Sequence, residues 1–130
     1  MSAYFILVLM LFMHVLDDYV LQAPCLCNLK QRSFWEKNAP ERLYRFDYFA
    51  ALFMHGFSWA FMIMLPIAFV LNFDVGFAFF ATLCLNAFIH ACIDDLKANQ
   101  HRINLCVDKF IHVMQIIITF YLFVIVCLVN

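Results

Sequence analysis

Residues 4–22 read YFILVLMLFMHVLDDYVLQ. The first ten of these are apolar without a break, and then His14, Asp17, Asp18 and Gln22 arrive within nine residues. The run is close to the ~20 residues that carry a helix across ~30 Å of hydrocarbon. An Asp or a Lys at the centre of such a helix costs about 2.5–3.5 kcal/mol or more. The polar side chains at the end of this run are therefore expected to face a protein interior and to have work there.

Composition places the whole chain in the same class. Of its 130 residues 67% are hydrophobic and 13% are charged, against roughly 45–50% and about 25% in soluble domains. Seventeen Phe and two Gly sharpen the contrast. A soluble domain of this size could not bury so much apolar surface, so lipid is the natural solvent. The net charge of −1 leaves no electrostatic footprint for a polyanion, and no nucleic-acid partner is expected.

Hydrophobic runs mark four spans, at roughly 2–22, 47–71, 74–95 and 105–129. Only helices satisfy their own backbone in lipid at this length. The predicted fold is all-α: a polytopic membrane protein of four transmembrane helices in a small bundle, forming one integral membrane domain over 1–130. The first run lacks the basic start of a secretory signal and carries two acids near its end. Ala23-Pro24-Cys25 is a poor lipoprotein site because Pro24 sits where a small flexible residue belongs.

Lys30, Arg32, Lys37, Arg42 and Arg45 lie between the first two spans, and Lys97 and Arg102 between the last two. The positive-inside rule puts both basic connections in the cytoplasm and both termini outside. A multi-pass protein of a bacterial inner (cytoplasmic) membrane is the expected setting. Within the first connection, Ser33-Phe34-Trp35-Glu36 fits a capping box and Pro40-Glu41 a first helical turn. A short amphipathic helix at headgroup level is predicted there, with Phe34, Trp35, Tyr44, Phe46 and Tyr48 as interfacial anchors. A lid over an anionic substrate is the alternative use of the same segment.

The histidines share a depth. His14, His55, His90 and His112 each lie five to eight residues inside the expected cytoplasmic end of their own span, or on the order of 7–12 Å at 1.5 Å per residue. His14-x-x-x-Asp18, His90-x-x-x-Asp94 and Asp108-x-x-x-His112 are three pairs at a spacing of four, which puts both members on one helix face. The order reverses in the fourth span, which runs the opposite way. In every pair the Asp lies nearer the cytoplasm. Imidazole with carboxylate suits Zn, Mn or Fe as a divalent ion, and facing helices are how bundles build such sites. Three Asp and three His could hold two ions, with His55 as a seventh ligand or a supporting donor. One ion held by a subset is equally allowed. A wholly structural account instead pairs Asp18 or Asp94 with Lys97 or Lys109, or makes each His a helix–helix hydrogen-bond partner. Asp17 and Asp95 read as interfacial charges on other faces, and His101 as solvated. The Cys residues within spans read as small apolar fillers, and Cys25-Leu26-Cys27 as reduced thiols.

The combination of His14-x-x-x-Asp18-x-x-x-Gln22, Lys30, His55, His90-x-x-x-Asp94-x-x-Lys97 and Asp108-x-x-x-His112 resembles the small bacterial and phage membrane proteins grouped as the domain of unknown function numbered 3307. The likeness covers nearly the whole chain. It departs at Lys109, where that family carries Gln, and at the extra acid Asp17. The layout is also similar to membrane-bound metal-dependent hydrolases, an analogy that brings no substrate with it.

The expected function is a membrane-embedded metal-dependent hydrolase. The ion would acidify water, with Asp18 or Asp108 taking and returning the proton. Lys97, Lys109 and Lys30 would steady a phosphate, and Gln22 would orient a ligand or bind substrate. A site at the cytoplasmic headgroup layer suits a lipid or lipid-linked substrate. The competitors are a metal-ion carrier or channel subunit, and a phage-encoded interaction protein using metal only for folding. The outer halves of the spans offer only Asn86, Gln115 and Thr119 as polar groups, which favours a one-sided pocket over a pore. A homodimer is plausible for so small a bundle.

Overall fold

The computed structural model describes residues 2–125, and all regular structure among them is helical. Helix α1 (Ala3–Leu16) starts at Ser2, whose hydroxyl accepts from the Phe5 N–H at 3.3 Å. It runs on as a π-helical turn over Asp17–Leu21. Two short helices follow, α2 (Pro24–Leu29) and α3 (Arg32–Asn38), then a 3-10 turn at Arg42–Tyr44. Together they form a strap that leads into α4 (Asp47–Val70). Helices α5 (Phe77–Ala98) and α6 (Leu105–Phe120) complete the bundle, with a second π-helical turn at Tyr121–Ile125. Four helices are long and apolar enough to cross a membrane. Of the expected fourth span, residues 126–129 lie outside the described residues, and Cys127 with them.

The expected boundaries need three corrections. Helix α5 starts and ends three residues later than the 74–95 expectation. Asn72 and Phe73 take left-handed backbone (φ 52° and 61°) and make the turn with Asp74 and Val75. Gly76 then becomes the N-cap, while the helix runs past Asp95 to carry Lys97. The Ser33 capping box does not form. The N-cap of α3 is Gln31, and Ser33 lies inside the helix, because the Arg32 N–H is taken by Asn99 Oδ1 at 2.7 Å from the end of α5. The cap comes from tertiary structure, and no local pattern announces it. Pro40-Glu41 is extended chain ahead of the 3-10 turn, with Glu41 as its N-cap. Helix α2, with Pro24 at its first turn, is an element the sequence reading lacked.

Each long helix buries one stripe. Ile6, Met10, His14 and Asp17 line α1, and Phe79, Leu83, Asn86, Ala87, His90, Ala91 and Asp94 line α5. The steps of three and four are those of a single helical face. Toward one end of the bundle the stripes are apolar, with Ile6, Met10, Trp59, Ile63, Met64 and Ile116 fully buried. Toward the strap they turn polar. The outer surface carries Phe12, Phe53, Phe57, Phe61, Phe80 and Phe88, each about half exposed, as lipid-facing side chains would be. Cys84, Cys92 and Cys106 also lie on this outer surface, so they do not fill the interior as expected.

Helices α4 and α5 approach closely at Gly56. A Cβ there would lie 2.5 Å from the Ala87 carbonyl oxygen and 3.4 Å from the Ala91 Cβ. Small residues allow this approach in lipid, where van der Waals contact holds helices together. Gly56→Ala forces the two backbones apart, and the expected loss is about 1–3 kcal/mol, as for other overpacked contacts. A thermal melt of the detergent-solubilised variant checks this. An unchanged midpoint would mean that the interface gives way freely.

Candidate metal centre

Six side chains meet at the polar end of the bundle. His55 comes from α4, His90 and Asp94 from α5, His112 and Asp108 from α6, and Asp18 from the π-helical turn after α1. Four helices running in alternate directions supply them, each from the face that is already buried. Two sets of donor atoms are close enough to share an ion, Asp18–His55–His90 and His90–Asp94–His112. His90 belongs to both sets and is fully buried.

The spacings fit a coordination shell better than a hydrogen-bond network. His55 Nε2 lies 3.4 Å from Asp18 Oδ1, and His112 Nε2 lies 3.4 Å from Asp108 Oδ1 and 3.6 Å from Asp94 Oδ1. His90 Nε2 is 3.8 Å from Asp94 Oδ1. A tetrahedral ion with bonds of about 2.0–2.1 Å holds its ligand atoms roughly 3.3–3.4 Å apart. Among the described residues, Asp18 Oδ1, Asp108 Oδ1 and both ring nitrogens of His90 and His112 are buried with no hydrogen-bond partner. Such groups each cost about 1–3 kcal/mol when left unpaired, and where they converge they could hold a cation. The donor set of imidazoles and carboxylates fits Zn, Mn or Fe.

Three of the carboxylates face two ways. Asp18, Asp94 and Asp108 turn Oδ1 toward an imidazole and give Oδ2 to a lysine. Lys109 donates to Asp18, Lys30 to Asp94 at 2.6 Å, and Lys97 to Asp108 at 2.8 Å. The lysines therefore hold the outer oxygens and leave the inner ones free for an ion. Of the pairings expected on a structural account, Lys109 with Asp18 forms, whereas Lys97 meets neither Asp18 nor Asp94, because α5 runs on to place it beside Asp108. Lys30, the residue after α2, is buried. Gln22, with its amide turned to satisfy both neighbours, accepts from Lys30 Nζ at 2.6 Å and donates to the Asp18 carbonyl at 3.2 Å. Lys97 and Lys109 are part-exposed at the rim, where Lys109 also lies over the Tyr19 ring.

Asp17 corrects the expectation of an interfacial charge on another face. It is 1% exposed. Its Oδ1 accepts from the Ser58 hydroxyl at 2.6 Å, and its Oδ2 lies 3.6 Å from His55 Nδ1. At i+3 from His14 it shares the inward face as fully as Asp18 does at i+4. The π-helical turn, closed by the Gln22 N–H on the Asp17 carbonyl at 2.9 Å, presents both acids together. Such turns gather at functional sites. Asp95 stays at the helix end, bonded to Asn99 and Gln100, and His101 is exposed.

His14 stands outside both donor sets. Its Nδ1 accepts from the Trp59 indole at 2.7 Å and lies 3.6 Å from Asp18 Oδ2. Trp59 stacks on His90 at 4.3 Å, and His90 stacks on His112 at 4.1 Å. This column fixes the imidazole planes. Trp59 was absent from the expected site although its signal was present: it follows His55 by four residues, on the same face. One to two turns deeper, Asn86, Gln115 and Thr119 bond to one another at 2.8–3.2 Å. They clamp α5 to α6, although the Gln115 Oε1 is left without a partner.

Charge completes the description. Asp18, Asp94 and Asp108 are matched by Lys109, Lys30 and Lys97, while Asp17 has Ser58 and His55 instead, so four carboxylates against three ammonium groups leave one formal negative charge in excess. One divalent ion would turn that into one positive charge, suited to an anion. The chain matches no protein-family model, no curated protein and no solved structure.

Proposed function

We propose that this protein is a membrane-embedded metal-dependent hydrolase acting on a lipid or lipid-linked, phosphate-containing substrate at the cytoplasmic face. The observation that carries the proposal is the two-faced use of the carboxylates, with inner oxygens and imidazoles at coordination spacing and outer oxygens on lysines. The residues fit a divalent ion held by either of two ligand sets that share His90, Asp18–His55–His90 or His90–Asp94–His112. Bound there, such an ion supplies Lewis acidity, which brings the pKa of water toward ~7. Asp108 lies outside both donor sets and has a free inner oxygen, so it takes and returns the proton. Lys97 and Lys109, at the rim, draw in and hold the substrate phosphate, and Lys30 and Gln22 keep Asp94 and Asp18 in place. The five basic residues of the strap support its cytoplasmic placement, with both termini outside a bacterial inner membrane. Kinship with the family numbered 3307 is part of the same proposal.

A carrier would need polar groups continuing through the membrane. Asn86, Gln115 and Thr119 are engaged with one another, and Ile6, Ile63, Leu83 and Phe120 pack in the same half of the bundle, which favours a pocket open at one side. The test is elemental analysis of purified protein beside a phosphate-release assay on phospholipid and isoprenoid-phosphate micelles. Metal in the protein, with release that stops on chelation and in Asp108→Asn while the metal is retained, is the expected result. Bound metal without release, together with ion uptake into proteoliposomes, would replace the hydrolase with a carrier.

A further inference from the structure

The strap holds a second feature, separate from the metal centre. Trp35 of α3 and Tyr44 of the 3-10 turn stack nearly parallel, 17° apart with centroids at 6.3 Å. Beside them Arg32, Arg42 and Arg45 line a cleft of about 240 Å³, with Glu36 and Glu41 on its wall. Arg32 is held by Glu36 at 2.8 Å. Arg42 and Arg45 make no ion pair among the described residues. Two guanidinium groups face one uncommitted carboxylate, that of Glu41, so the cleft keeps an excess of positive charge.

The neighbouring side chains say where this cleft sits. Leu43 is 78% exposed and Phe46 is 62% exposed, each next to one of the two arginines. An exposed apolar side chain alternating with an arginine is unfavourable in water and suited to the headgroup boundary, where the apolar part enters the acyl region and the guanidinium stays at phosphate level. The strap joins the end of α1 to the start of α4, so it lies at that boundary by construction. It is also pinned there. Trp35 Nε1 donates to the Leu29 carbonyl at 2.8 Å, and Asn99 bonds the Lys30 carbonyl and the Arg32 N–H.

We propose that the cleft between α3 and the 3-10 turn is a binding site for the phosphate of an anionic phospholipid headgroup, held by Arg42 and Arg45 with the Trp35–Tyr44 pair as its wall. Guanidinium groups match phosphate oxygens in a planar fork, and Leu43 and Phe46 place the acyl chains. The site is distinct from the metal centre and does not depend on the hydrolase reading.

The test uses the full chain in nanodiscs of phosphatidylcholine with a minor fraction of phosphatidylglycerol. Spin-labelled lipids then report the relative association of each headgroup. Wild type is expected to enrich phosphatidylglycerol. Arg42→Gln with Arg45→Gln is expected to lower that enrichment on the order of tenfold, given the contribution of each arginine near an anionic surface. Lys37→Gln, a basic residue of the same strap outside the cleft, should leave the enrichment in place, and bound metal should be unchanged in all three. Equal enrichment in the double variant, or none in wild type, overturns the site. Displacement of the lipid by millimolar inorganic phosphate would also overturn it, since the cleft would then be a free-anion site.

Discussion

His90→Ala is expected to lose at least on the order of 100-fold in affinity for Zn or Mn, where replacing a supporting residue behind a metal ligand costs about 10–100-fold. His90 is the one side chain common to both donor sets, and its ring is stacked between Trp59 and His112. Its removal takes away a donor and the wall that orients His112. The other candidate ligands each belong to a single set, so Asp18→Asn or His112→Ala should cost less. Isothermal titration of purified, chelator-stripped protein measures the order. Wild-type affinity in His90→Ala would remove the centre from consideration, whatever its chemistry. Helix content by circular dichroism should stay near wild type, because the apolar half of the bundle does not include His90.

The second large effect is structural. Lys30 and Asp94 form a buried pair at 2.6 Å, with side chains 9% and 5% exposed. Removing one member of such a pair strands the other charge, which costs about 3–5 kcal/mol, whereas removing both is often nearly neutral. Asp94→Asn is therefore expected to destabilise the metal-free protein by about 3–5 kcal/mol. Adding Lys30→Met should restore most of that loss. Unfolding in mixed micelles, run as a double-mutant cycle with chelator present, gives the coupling. Additive losses would show that Lys30 is satisfied by Gln22 alone. The same cycle separates stability from metal binding: the double variant should fold and still bind metal weakly, for want of the Asp94 carboxylate.

Helix identity was legible at a distance because hydropathy in lipid is a strong and local signal. A run such as YFILVLMLFM permits one structure in hydrocarbon, and the ends of α4 and of α1 together with its π-helical turn fell within a residue or two of expectation. The inward face was legible for a related reason. His90 and Asp94, or Asp108 and His112, share a face by helical period alone, and burial of both in each pair follows once any polar group must avoid lipid. A common level for the four histidines was legible from residue counts, and their rings do meet.

What the chain did not announce depends on contacts between segments remote in sequence. Asp17 faces inward by its i+3 spacing from His14, but that it and Asp18 are both presented to the centre depends on a π-helical turn, which has no residue signature and is closed by a Gln22 N–H. The start of α3 is set by Asn99, sixty-seven residues away, so a capping box at Ser33 that reads well locally never forms. Lys30, which the sequence named for the site only through the family resemblance and as a substrate contact, instead pairs with Asp94, its carbonyl held by the same Asn99. Trp59 becomes part of the site by stacking on His90 of α5 and lying tilted against His112 of α6. By itself the sequence determined that there are four membrane helices, which faces point inward and at what height their histidines lie, because the period of a helix and the cost of polar groups in lipid act within a single segment. Tertiary structure alone decided which lysine meets which carboxylate and which oxygens remain free for an ion, because those distances exist only between helices.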